Sequence, residues 1–102
     1  MFVPLKEKET VKNAMFEAGA GVQGSYECCS FESCGNGQFR PLKGSNPTIG
    51  THDKLEVLEE VRVEMLCDPS ALKAVIIAIK RAHPYEEPAI DIIKTLALDE
   101  FE

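Results

Sequence analysis

The sequence predicts a small α+β domain of the ferredoxin-like kind, in which an antiparallel sheet carries two helices on one face. Two stretches have apolar residues at helical spacing, and stretches with strand character lie before, between and after them. This order fits a β-α-β-β-α-β arrangement. The chain has 102 residues, which is the size of one domain, so residues 1–102 are expected to form a single unit.

The first part of the chain predicts a very short strand and then a helix. The strand runs from Met1 to Pro4. The helix is indicated by apolar residues at helical spacing, which are Val11, Ala14, Met15 and Ala18. Gly19 and Gly21 are expected to end this helix, because glycine tolerates the left-handed conformation found at helix ends.

The middle of the chain predicts a strand, a turn, a returning strand and a loop. Val22 to Phe31 is the strand candidate, and Gly35-Asn36-Gly37 is a strong turn signal. Gln38 to Leu42 is then expected to return as the partner strand. Residues 44–50 are rich in glycine, serine, asparagine and proline, which predicts a loop.

The second half predicts a long strand, a helix and a last strand. Lys54 to Cys67 alternates apolar and charged residues, which indicates a strand with one buried and one wetter face. Asp68 is the expected cap of the second helix, and Pro69 suits its first position. His83 precedes a proline and is expected to end the helix. Ala89 to Leu98 is the predicted last strand.

Charge and hydropathy exclude some partners and indicate a compartment. The formal net charge is -6, so phosphate backbones and anionic membrane surfaces are unfavourable general partners. We therefore expect no nucleic acid and no membrane as partners. No signal peptide is recognisable, and the longest apolar run, Ala74 to Ile79, is far shorter than a membrane span. A cytoplasmic setting is expected, in which the four cysteines remain thiols.

Several segments resemble known families. Residues 83–91, His-Pro-Tyr-Glu-Glu-Pro-Ala-Ile-Asp, resemble the helix-to-strand segment of the CutA family, a branch of the PII-like trimeric proteins. Residues 24–31, 35–41, 44–50 and 59–64 resemble, in the same order, the PII-like domain inserted in YqfO, a member of the GTP cyclohydrolase I type 2 homologue family. The resemblance covers nearly the whole chain.

The resemblance implies a PII/CutA-like ferredoxin fold, a homotrimer as in CutA-type relatives, and a free-standing version of the inserted domain. The metal-binding catalytic halves that surround the insert in YqfO are missing, so hydrolase activity is not carried over. The relatives also have several apolar residues before Phe2-Val3-Pro4. Either the first strand is truly short, or the chain begins late.

The segment from His83 to Glu87 is the best candidate site. A histidine beside the carboxylates of Glu86 and Glu87 is suited to a divalent metal ion or to a proton held near neutral pH. Tyr85, in the same segment, is a further candidate ligand-binding residue. The alternative is structural, and it is favoured: the segment ends a helix, starts a strand and packs at a subunit interface.

The cysteines offer a weaker metal candidate. Cys34, together with His83 and Glu87, is the set considered for a metal ion. Cys28 and Cys29 are adjacent on a predicted strand and would point to opposite faces. No C-x-x-C pair is present, so a zinc ribbon is not supported. Buried, apolar thiols are the more common outcome.

The second candidate site is the segment from Gly35 to Gly50. The PII resemblance places a ligand-responsive loop there. Backbone amides freed by the glycines, together with the guanidinium of Arg40, are suited to an anion. The alternative is a plain hairpin with a proline-bounded loop, and it is slightly favoured.

The sequence therefore predicts a PII/CutA-like binding or regulatory module and not an enzyme. Its candidate ligand is a divalent metal ion or a small molecule held near a subunit interface, and a separate protein partner is a further candidate. The alternative function is an accessory subunit or cap of a separate metal-dependent hydrolase of the YqfO type.

Overall fold

The computed structural model describes all residues, 1–102, and confirms the α+β class. Strands β1 (Phe2–Pro4), β2 (Phe31–Phe39) and β3 (Glu56–Glu64) form one sheet, and the helices are α1 (Lys8–Glu17) and α2 (Pro69–Ala82). The strand order is β1-β3-β2, and both pairings are antiparallel. No helix has the length and apolar character needed to cross a membrane.

The core lies between one face of the sheet and both helices. Val3 of β1 is directly opposite Val61 of β3, so the two side chains point to the same face. These valines and Val63 are almost fully buried. The helices contribute buried apolar residues to the same cluster, which are Val11, Met15, Val75 and Ile79. The prediction of two helices on one face of an antiparallel sheet is confirmed.

The ends of α2 are those that the sequence predicts. The carboxylate of Asp68 accepts a hydrogen bond from the amide of Ser70 at 2.9 Å, which satisfies one of the free amides at the helix start. The Ser70 hydroxyl also donates to this carboxylate, and together these bonds lower the pKa of Asp68. At the other end His83 has an extended backbone, with ψ of 136°, because Pro84 follows it.

The middle of the chain corrects two predictions. Residues 22–30 form a loop with one short bridge, between Gln23 and Tyr26, where a strand was expected from Val22 to Phe31. Gly35-Asn36-Gly37 lies inside β2, opposite residues 58–60 of β3, and makes no turn. Gly37 has a different role, because a Cβ atom there would collide with the side chain of Glu60. The glycine admits a neighbouring side chain and does not reverse the chain.

The returning strand and the last strand also differ from expectation. Residues 38 and 39 end β2, and residues 40–42 belong to the loop that follows. The predicted returning strand from Gln38 to Leu42 therefore does not form. The segment from Ala89 to Leu98 forms no strand. Only the carbonyl of Ala89 pairs with the sheet, accepting from the amide of Phe2 at 3.2 Å. Because β1 has three residues, its free edge offers too few partners to hold a longer strand.

Candidate ligand-binding cleft

A cleft opens on the face of the sheet opposite the helices. Its cavity volume is about 440 Å³, within the ordinary range of small-molecule sites. Its walls are the end of β2, the loop of residues 41–49 and the segment of residues 85–89, and its sheet residues include Phe2 and Glu60. The two segments singled out by the sequence, far apart along the chain, therefore line one cavity.

His83 anchors the segment that enters the cleft. Its Nδ1 accepts a hydrogen bond from the amide of Tyr85 at 3.1 Å, so Nδ1 carries no proton. Its Nε2 therefore donates to the carbonyl of Phe2 at 2.6 Å. The side chain is buried, which lowers the pKa of His83, although the Phe2 carbonyl and the carboxylates of Glu60 and Glu7 oppose this shift. The imidazole is neutral at pH 7 and fixes the turn against β1.

Tyr85 forms a rigid wall of the cleft. Its hydroxyl donates to Oε2 of Glu60 at 2.5 Å, and its ring meets the ring of Phe39 edge-on at a centroid distance of 5.4 Å. Burial first, and then the Glu60 carboxylate, raise the pKa of Tyr85 far above its ordinary value. The phenol therefore stays protonated and holds Glu60 in place.

Glu86 connects the two walls of the cleft. Its carboxylate oxygens lie 3.0 and 3.2 Å from the amide nitrogen of Asn46, which donates to them. The loop is braced elsewhere by His52, whose Nε2 donates to the carbonyl of Ser45 at 2.7 Å. The rest of the His52 side chain is exposed to solvent.

Arg40 and Glu87 are the charged groups of the cleft that remain available. Both line the cavity and are exposed, and neither forms an ion pair within the chain. Glu60 and Glu86, by contrast, are engaged by Tyr85 and Asn46. The cleft thus offers one free cation and one free anion among aromatic and proline side chains.

The residues considered for a metal ion are not brought together. Nowhere in the chain do three His, Cys, Asp or Glu side chains approach closely enough to hold a metal. Cys34 lies opposite Val61, on the face of the sheet that bears the helices, whereas Glu87 lines the cleft on the other face. Both ring nitrogens of His83 are occupied. The set His83, Glu87 and Cys34 does not form one site, and metal binding stays a prediction.

The cysteines are free thiols, as expected for this set. Their burial differs from expectation, because Cys28 and Cys34 are exposed and only Cys29 and Cys67 are partly buried. The loop that replaces the predicted strand explains the exposure of Cys28, whose φ is 58°.

Sequence reasoning placed neither Phe2 nor Glu60 in a candidate site, although both line the cleft. Glu60 had a usable signal, since the period-two pattern of β3 puts it on the face opposite Val61. Phe2 had none, because which face of the sheet is covered by the segment after α2 depends on tertiary structure.

The fold and the cleft define a class: a small ferredoxin-like α+β domain with a ligand-sized cavity on the sheet face that the helices leave open. No family model matches the chain. It is 46% identical over 92 residues to a GTP cyclohydrolase 1 type 2 homolog of Mycobacterium leprae, covering 90% of this chain and 24% of that protein. It is 47% identical over the same length to the protein of that name from Bacillus subtilis, covering 90% of this chain and 25% of that protein.

A solved structure gives the same relationship. The crystal structure of a Bacillus cereus protein related to NIF3 superposes with a TM-score of 0.72 and 43% sequence identity, covering 86% of this chain and 22% of that one. The chain therefore spans about a quarter of the length of the curated relatives it matches. The resemblance to the GTP cyclohydrolase type 2 homologues is confirmed, and it concerns one segment of those proteins.

Proposed function

We propose that the chain is a small binding or regulatory module whose ligand occupies the cleft between residues 41–49 and 85–89. One observation supports this most strongly. The two segments with site-like residues line one cavity and are joined by the hydrogen bond between Asn46 and Glu86, which lie 40 positions apart in the sequence. A plain hairpin loop would not require that connection.

The lining indicates the chemistry of the ligand. The guanidinium of Arg40 suits a carboxylate or phosphate group, and the carboxylate of Glu87 suits an amino group or another cationic group. The rings of Phe39 and Tyr85 suit a planar or apolar body. The favoured ligand is therefore a small molecule that carries both an anionic and a cationic or donor group. A divalent metal ion at Glu87 is the other candidate.

His83, Tyr85 and Glu86 shape the cleft. In this proposal they also couple the binding of a ligand to the conformation of the neighbouring loop. A ligand that draws on Glu86 competes with the amide of Asn46 and frees the loop of residues 41–49. Such a change is local, and a second protein or subunit would read it. We further propose a cytoplasmic homotrimer, on the resemblance to CutA-type proteins, and no catalytic role.

A second candidate function comes from the matched relatives. The related proteins are about four times longer than the aligned segment, and this chain matches one segment of each. In this alternative the domain acts as an accessory subunit or cap of a metal-dependent hydrolase that corresponds to the remaining three quarters. Co-purification with such a polypeptide is the observation that would favour it over the independent module.

Isothermal titration calorimetry tests whether the cleft binds a ligand. The probes are free amino acids, nucleotides and MnCl₂, each up to millimolar concentration, against the native protein and the variants Arg40→Ala and Glu87→Gln. Arg81→Ala, at the end of α2 and away from the cleft, is the matched control. We expect at least one probe to bind, with affinity reduced tenfold or more by a cleft variant and unchanged in the control. No binding of any probe at millimolar concentration would contradict the proposal.

A further inference from the structure

The imidazole of His83 holds the start of the cleft segment through a hydrogen bond that only the neutral ring can make. Its Nδ1 accepts from the amide of Tyr85 at 3.1 Å, while its Nε2 donates to the carbonyl of Phe2 at 2.6 Å. A protonated imidazole carries a hydrogen on both ring nitrogens. The hydrogen on Nδ1 would then face the N–H of Tyr85, and two donors cannot form that hydrogen bond. Protonation of His83 therefore breaks it.

This hydrogen bond is the one that fixes the backbone of residues 84–88. These residues make no hydrogen bond to another backbone group, and the amide of Tyr85 is the only group of their backbone that has a partner in the chain. Because Tyr85 forms a wall of the cleft, loss of the bond to His83 alters the cavity itself.

A buried acceptor without a partner lies in the same region. Oε2 of Glu7 is buried and has no hydrogen-bond partner, and no other buried side-chain nitrogen or oxygen of the chain is left unpaired. Such an atom is uncommon in a folded protein, because burying an unpaired polar group is unfavourable. Glu7 belongs to the short turn that follows β1, and its charge acts on both His83 and Tyr85. A protonated His83 thus has a free acceptor nearby.

The charges around His83 favour Glu7 as this acceptor. Three charged groups from the neighbouring parts of the chain act on the ring, and they are the amino terminus of Met1, Glu7 and Glu60. The charged residues close to His83 in sequence are exposed, and they are Lys80, Arg81, Glu86 and Glu87. Glu60 is already engaged by the hydroxyl of Tyr85. Glu7 is therefore the carboxylate that has a free oxygen for a positively charged ring.

We propose that His83 is a pH-sensitive switch of the cleft, in which protonation transfers Nδ1 from the amide of Tyr85 to the carboxylate of Glu7 and releases residues 84–88. At pH 7 the ring is neutral and the cleft is formed. Burial, which lowers the pKa of His83, puts the change on the acidic side of neutrality. The switch regulates the ligand site proposed above, so its role in binding rests on that proposed function.

Backbone amide resonances of the native protein, recorded without ligand from about pH 7.5 to about pH 5, test the switch. We expect the Tyr85 resonance to move in one step while those of Val61 and Val63 in the core stay in place. In His83→Gln, which cannot titrate, the Tyr85 resonance should not move. A Tyr85 resonance that stays constant in the native protein would overturn the switch. So would one that changes together with Val61 and Val63, because that change is unfolding of the whole domain.

The role of Glu7 is tested by Glu7→Gln, with Glu17→Gln as the control of equal charge, since Glu17 is exposed at the end of α1 and forms no ion pair. We expect Glu7→Gln to lower the midpoint of the Tyr85 transition by about half a pH unit or more, which is about a threefold loss of proton affinity. The control should keep the native midpoint. Equal midpoints in the two variants would overturn the transfer to Glu7.

Ligand binding separates the switch from the proposed function. The tightest probe found by calorimetry should bind the native protein at least tenfold more weakly below the Tyr85 midpoint than at pH 7, and His83→Gln should lose this difference. Equal affinity at both pH values would overturn regulation of the cleft but leave the proposed function intact. If no probe binds, the proposed function fails, while the Tyr85 transition, which is measured without ligand, still decides whether the switch exists.

Discussion

The carboxylate of Glu86 accepts hydrogen bonds from the backbone amide of Asn46, a residue forty positions earlier in the chain. This contact joins the segment after α2 to the loop after β2 and closes one side of the cleft. Loop and segment have no strand pairing with each other, so the contact determines how far apart they lie. The loop is therefore the part of the cleft most easily displaced.

Replacing Glu86 by glutamine should loosen the loop without unfolding the domain. The neutral amide oxygen is a weaker acceptor than a carboxylate, so the Asn46 amide should open more often. Amide hydrogen exchange at Asn46 is expected to be several-fold faster, with core amides of β3 unchanged. Glu87→Gln is the matched control, since Glu87 does not contact this amide. Equal exchange in both variants would contradict this role for Glu86.

Removing the hydroxyl of Tyr85 should destabilise the domain. Tyr85→Phe leaves Glu60 without its donor at the sheet surface, and such a loss costs about 1–2 kcal/mol in the free energy of unfolding. Urea denaturation measures it. Tyr26→Phe, at a residue that is 76% exposed, should be neutral. A similar loss of stability in both variants would show that the contact with Glu60 is unimportant.

Gly37 and Gly35 form a natural pair for testing the close approach of Glu60. A Cβ atom at Gly37 collides with that side chain, while one at Gly35 meets nothing within 4 Å. Glu60 could swing away only by leaving Tyr85, so Gly37→Ala should cost about 1–3 kcal/mol of stability. Gly35→Ala should be close to neutral.

A double-mutant cycle makes this test specific. In the Tyr85→Phe background Glu60 is free to move, and the cost of Gly37→Ala should fall. If the losses in the free energy of unfolding caused by Gly37→Ala and Tyr85→Phe simply add in the double variant, the coupling between Gly37, Glu60 and Tyr85 is contradicted.

Stability should decrease when the solution is acidified through the range in which His83 titrates. Burial lowers the pKa of the folded imidazole below its unfolded value of 6.5. Between the folded and unfolded pKa values the unfolded chain binds more protons, so the free energy of unfolding rises with pH there. The stabilisation is complete above about pH 6.5 and is lost as pH falls through the folded pKa.

Urea midpoints measured across this pH range check the assignment. Glu60, Glu7 and the N-terminal amine are the charged groups that act on His83, and they persist in a His83→Gln variant. That variant should be less stable at pH 7 but should have a flatter pH dependence between pH 5 and pH 7. An equally steep dependence in the variant would assign the effect to another group.

Much of the fold follows from local signals. Helix α2 begins at the predicted cap, Asp68, and ends at His83, the residue before a proline. Strand β3 lies within the stretch in which apolar and charged residues alternate. The misplaced elements share a physical cause. Gly35-Asn36-Gly37 has the composition of a turn but lies within a strand. Gly37 is needed there because it leaves space for the side chain of Glu60, and this tertiary contact is not visible in the local sequence. The segment after Ala89 has strand composition but lacks an edge of sufficient length.

The candidate site was predictable in part. Arg40 and residues 85–87 were identified from residue type, and they line one cleft. The role of His83 was not predictable, since its hydrogen bonds to Phe2 and Tyr85 depend on the docking of the segment against β1. A histidine beside two glutamates has the composition of a metal site, but here the ring is occupied by backbone partners.

The central claim is that the cleft binds a small ligand, and chemical-shift mapping tests it most directly. Backbone amide resonances of the ¹⁵N-labelled native protein would be followed during titration with the tightest probe found by calorimetry. We expect the largest shifts to fall on residues 40–49 and 85–89, with the Asn46 amide among them. Shifts confined to the helix face, or spread evenly over the surface, would contradict it.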